Sequence, residues 1–102
     1  GPGHLGASAM PGHVGNSVIA GHRDTHFAFL RDVEPGELIG VESFNGVRHL
    51  YKVTAVNVVD SRTGSLLLDT DLSMLTLVTC YPFDAVEAGG PMRYVVTARM
   101  LY

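Results

Sequence analysis

The sequence predicts an all-β domain, either a small antiparallel barrel or a sandwich. Three observations carry this. Short apolar, β-branched runs recur along the 102 residues, separated by Gly, Pro and Asn turn signals. The pair Asn45-Gly46, the strongest short hairpin signal a sequence offers, lies between two of these runs. Only one short stretch has a helical spacing, and no long helical period exists. The length fits one domain spanning 1–102. With 46 % hydrophobic and 17 % charged residues, the chain belongs with folded rather than disordered proteins.

Residues 1–15 hold five glycines and two prolines and read as loop, with one short extended piece. "NSVIA" (Asn16–Ala20) is a short strand that Gly21 ends. In "GHRDTHFAFLRD", Asp24 or Thr25 caps a short helix, and Phe27 and Leu30 fall three apart on one face. Pro35-Gly36 makes a turn, because Pro presets φ and Gly supplies φ > 0. "LIGVESF" is a strand leading to Asn45-Gly46. A long strand follows from Val47 to Val59, with Val47, Tyr51, Val53 and Ala55 alternating against Arg48, Lys52 and Thr54. Near Val58 the alternation fades. "DSRTGS" is a polar loop, and Leu66–Leu72 is a helical turn or an ordered loop. "MLTLVTC" and "RYVVTARML" are the last two strands, joined by a long loop. About five strands and one short helix result.

The net charge of −3 and the lack of a basic patch argue against a nucleic-acid partner. One cysteine, Cys80, excludes an intrachain disulfide and a cysteine-only zinc site. No stretch is long enough to span a membrane, and no signal peptide is visible. The chain opens on Gly-Pro-Gly-His, which suggests a piece of a longer protein carrying an anchor elsewhere.

Cys80 ends an apolar strand just before a Tyr-Pro turn, where a rigid scaffold offers side chains to ligands. Attack by sulfur needs a thiolate and hence a nearby cation or donor. His22, just past a strand end, is a candidate base or ion-pair partner. Arg93 opens the last strand with a fixed fork of donors suited to an oxyanion. Each residue alone also has a bland reading: a buried thiol, a surface imidazole, a solvated guanidinium. Together they are the residue types of a cysteine acyl-transfer site. His22 and His26 lie four apart but lack the Glu of the zinc-protease pattern, and Asp60, Asp69 and Asp71 match no EF-hand spacing.

The wording around these residues is specific. "TLVTC" (Thr76–Cys80) resembles the TLxTC signature of sortases, the cysteine transpeptidases of bacterial surfaces. "NSVIAGHRD" is similar to the segment that carries the sortase catalytic His, and "RYVVTA" to the strand that carries its Arg. The three occur in the family's order, over Asn16 to the chain end. "GHRDTHFAFLRD" and "TCYPFD" resemble sortases of proteobacterial, Gram-negative type. The resemblance implies a sortase β barrel, usually of eight strands, with the N-terminal strands missing from this truncated catalytic domain. It implies that Cys80 attacks the Thr–Gly bond of an LPxTG-like sorting signal. The thioacyl-enzyme is then resolved by a cell-envelope amine. His22 would be the general acid/base, and Arg93 would support the oxyanion or the substrate. Thr79 would contact the oxyanion region, and Tyr81 and Phe83 would border the peptide groove.

No cofactor, metal or calcium requirement is expected. The expected location is the extracytoplasmic face of the membrane, with the anchor outside this chain. An open barrel edge would make a dimer by strand exchange feasible. The rival reading is a non-catalytic β module for surface interaction, in which Cys80 packs in the core. An L,D-transpeptidase is set aside, because a Thr rather than a Gly precedes Cys80.

Overall fold

The computed structural model describes residues 3–4, 6, 8–21, 27–43, 45–63, 71–81 and 90–101. Among these residues six strands form one mixed sheet that curls into a half-barrel. They are β1 (Gly3–His4), β2 (Gly15–Ala20), β3 (Leu38–Glu42), β4 (Arg48–Asp60), β5 (Ser73–Cys80) and β6 (Met92–Met100). Their order across the sheet is β1-β2-β5-β6-β4-β3. All neighbours are antiparallel except β2 and β5, which run parallel. The predicted strands are all present, and the extended piece expected in residues 1–15 is the two-residue β1.

The expected hairpin joins β3 to β4. Its register pairs Glu42 with Arg48, and Gly46 takes φ 84°, a value that L side chains rarely adopt. The Asn45 side chain stitches this turn, with Oδ1 2.6 Å from Ser43 Oγ and accepting the Val47 N–H at 3.3 Å. The expected short helix is a 3-10 helix, Ala28–Asp32. Residues three apart eclipse in that geometry. Phe27, just before it, and Leu30 are accordingly both buried. The expected caps, Asp24 and Thr25, lie outside the described residues.

One strand departs from simple alternation. A bulge on β4 shifts the register between Val53, opposite Ala98, and Ala55, opposite Thr97. The extra residue, Thr54, donates its hydroxyl to the Thr97 carbonyl at 3.2 Å. Alternation places Ala55 on the face of Tyr51 and Val53. The bulge moves it to the other face and brings in Val56, opposite Val96. This accounts for the fading pattern near Val58.

The core fills the concave face. Tyr51, Val53, Leu75, Leu77, Val96 and Ala98 pack there with Phe27 and Leu30. Tyr51 is fully buried, and its hydroxyl accepts the Gly12 N–H at 2.9 Å, tying the N-terminal segment across to β4. Burial pushes the Tyr51 phenol above its ordinary value, while the Gly12 N–H pulls less strongly the other way. A raised folded-state value means the folded protein keeps a proton that the unfolded chain loses above about pH 10. This contribution is complete below that pH and is lost as pH rises through the folded value. Tyr51→Phe is expected to cost about 1 kcal/mol near neutrality by orphaning the Gly12 N–H. It should also remove the alkaline loss of stability, which thermal melts at about pH 8 and about pH 11 will check.

Candidate active site

β5 and β6 carry two of the three expected catalytic residues, and their register sets the geometry. Cys80 lies directly opposite Arg93. One rung further, the Tyr81 N–H donates to the Met92 carbonyl at 3.2 Å. Hydrogen-bonded and non-hydrogen-bonded pairs alternate along an antiparallel ladder, so Cys80 and Arg93 form a non-hydrogen-bonded pair. In such pairs the Cα atoms approach to about 4.5 Å and the side chains share one face. The Cys80 and Arg93 side chains therefore leave the sheet on the same face. Cys80 is half-buried and free.

Arg93 is anchored at the entrance of β6. Its Nη1 donates to the carbonyls of Gly90, at 2.5 Å, and Met92, at 2.8 Å. These two bonds use one nitrogen of a five-donor group. The remaining N–H donors have no partner among the described residues.

β2 approaches from the other side of β5. Its parallel register runs from Gly15 opposite Ser73 to Ala20 opposite Val78. The Gly21 N–H then donates to the Val78 carbonyl at 3.1 Å, so the chain is still fastened to β5 two residues before Cys80. His22, like His26, lies outside the described residues. Gly21 is needed for a close approach: a Cβ there would meet the Phe27 ring at 2.9 Å. Gly21→Ala is expected to displace Phe27 from the core and lower the melting temperature by several degrees, reversing the usual gain of a Gly-to-Ala change. Retention of full stability in a melt would contradict this packing.

Thr79 and Tyr81 flank Cys80 in the chain and project differently from it. Thr79 is opposite Tyr94, on the core face with Leu75 and Leu77. It is 2 % exposed, and its hydroxyl has no hydrogen-bond partner among the described residues. The Tyr81 ring stacks on Tyr94, with centroids 6.0 Å apart and planes at 16°. The signal for Tyr94 was present only as alternation: it shares parity with Val96 and Ala98 and not with Arg93. Phe83 lies outside the described residues.

The candidate acidic cluster is not assembled in the described region. Asp60 accepts the Arg62 side chain at 2.7 Å and the Arg62 backbone N–H at 2.9 Å within the turn after β4. These bonds hold its carboxyl below the usual carboxylate range. Asp69 lies outside the described residues. Among the described residues no group of three or more His, Cys, Asp or Glu could hold a metal ion.

Residues 1–101 match the family model described as Sortase domain. Among solved structures, sortase A from Corynebacterium diphtheriae is 32 % identical with a TM-score of 0.82, over 99 % of this chain and 48 % of that one. Its lid mutant is 34 % identical with a TM-score of 0.83, over 100 % of this chain and 56 % of that one. A sortase D5 transpeptidase from Clostridium perfringens is 27 % identical with a TM-score of 0.82, over 99 % and 62 %. This chain therefore spans roughly half to three-fifths of the length of the structures it matches. No match was found among curated proteins. The family match over nearly every residue, joined to a half-barrel that sets its cysteine opposite an arginine, leads to one conclusion: the chain belongs to the sortase family.

Proposed function

We propose that the protein is a cysteine transpeptidase of sortase type that cleaves an LPxTG-like sorting signal through a thioacyl-enzyme. The observation that carries this reading is the close Cys80–Arg93 pair at the rim of β5 and β6. In the reaction, Cys80 Sγ attacks the carbonyl carbon of the scissile Thr–Gly bond. The thiol proton passes to the departing glycine amine, with His22 as general acid/base. An amine of the cell envelope then attacks the thioester, forms the new amide and releases the thiol. The Arg93 N–H donors without a partner among the described residues hold the substrate or the developing oxyanion.

Support for His22 comes from β2, whose exit at Gly21 is bonded to β5 close to Cys80. Thr79 acts through its backbone, because its side chain is buried on the other face. Phe83 borders the groove, while the Tyr81 ring keeps an exposed edge on the face of Tyr94, opposite Cys80. The natural setting of this reaction is the outer face of the membrane. Exchange of strands with a second copy is a further proposal for the open sheet.

Mass spectrometry after mixing the protein with an LPxTG-like peptide library tests the reading. A covalent adduct on Cys80 that retains the peptide up to its threonine, and that an added amine removes, is expected. Absence of any adduct across the library, with Cys80 labelled by thiol reagents only on unfolding, would favour the silent β module instead.

A further inference from the structure

We propose that Tyr94 and Tyr81 form a clamp behind the sheet that keeps Cys80 and Arg93 at their close spacing, so that Tyr94 is a positioning residue for the reaction; this rests on the function proposed above. Side chains alternate between the faces of a strand. Cys80 and Arg93 share one face, and Thr79 and Tyr94 share the other. The Tyr81 ring lies against Tyr94, so the stack spans the thiol–guanidinium rung from behind.

The rung that follows is the weak point. Tyr81 N–H to Met92 O, at 3.2 Å, is at the long end of the hydrogen-bond range. It is also the last described rung of the β5–β6 ladder. The ring of Tyr81 reaches diagonally back to Tyr94, as cross-strand aromatic side chains can. The near-parallel rings match the offset-stacked arrangement that aromatic pairs favour. Loss of the stack frees the Tyr81 peptide, frays this rung and lets Cys80 move away from Arg93. Neither ring needs to touch the substrate for this effect.

A mutant cycle tests the clamp. The variants are Tyr94→Phe, Tyr94→Ala and Tyr81→Ala, each made with and without Arg93→Ala. Two readouts are taken: kcat and KM on a Leu-Pro-x-Thr-Gly peptide, and the rate of Cys80 alkylation by iodoacetamide, which needs no peptide. Attack of the thiol on iodoacetamide responds to the groups held beside the sulfur, so its rate reads the Cys80–Arg93 spacing. Tyr94→Phe, which keeps the stack, is expected to stay within about twofold of the parent in both readouts. Tyr94→Ala should lower kcat by about tenfold with KM within about twofold, and should slow alkylation. In the Arg93→Ala background it should change alkylation by less than about twofold, because the pairing it protects is already gone. Equal losses in both backgrounds, no change in alkylation, or a Phe variant as damaged as the Ala variant would each overturn the clamp. If Tyr94→Ala does not fold, Tyr81→Ala removes the same stack from the strand end and must show the same coupling. Coupled alkylation with no peptide cleavage by the parent protein would refute the transpeptidase reading and leave the clamp standing.

Discussion

Cys80→Ala is expected to abolish covalent capture of a Leu-Pro-x-Thr-Gly peptide, by at least about 10³-fold, while the fold survives. The chain has a single thiol, so no neighbouring sulfur can substitute for it. Structurally the change is mild. Cys80 is the last residue of β5 and is half-buried at the rim, away from the core that holds Leu75 and Leu77. Removing one sulfur there leaves little cavity, so the melting temperature should move by no more than a few degrees. Adduct formation followed by mass spectrometry, beside a thermal melt, separates chemistry from folding. A Cys80→Ala protein that still cleaves the peptide would end the cysteine mechanism.

Arg93→Ala should lower kcat by about 10²–10³-fold, the range seen when one preorganised oxyanion donor is removed. Two roles meet in this side chain. Nη1 secures the entrance of β6 through Gly90 and Met92, and the residue shares the face of Cys80. Arg93→Lys is not a conservative change here, because an ammonium is a point charge that cannot hold two carbonyls and reach a third group in a fixed fork. It should recover less than about a tenth of the parental kcat. Steady-state kinetics of both variants on the same peptide provide the check. A lysine that restores most of the rate would mean that positive charge alone suffices.

Much of the fold was legible because strand periodicity and turn chemistry are local. Asn45-Gly46 announced the β3–β4 hairpin, and Phe27 and Leu30 announced the short helix. The bulge at Thr54 was not legible, because one inserted residue changes the face of everything after it without changing the composition. The parallel pairing of β2 with β5 was also hidden, since a period of two identifies a strand and not its partner. The site was legible in a different way. Cys80 and Arg93 were singled out by type, by strand-end position and by the family wording around them. That they stand opposite each other depends on the β5–β6 register, which a period of two does not reveal. The reverse side of the site, with Thr79 and Tyr94, follows only once that register is known.

The parallel pairing also bears on the order of assembly. Residues 80 and 93 are 13 apart, so β5 and β6 can find each other by a short closure. Residues 15 and 73 are 58 apart, so β2 joins β5 only after a much longer segment has been organised. Loop-closure entropy grows with the logarithm of length, and non-local parallel pairing is intrinsically slow. The thiol and guanidinium should therefore come together early in folding, and the strand leading to His22 should dock late. Pulse-labelled hydrogen exchange should accordingly show protection of the Tyr81 amide before that of the Gly21 amide.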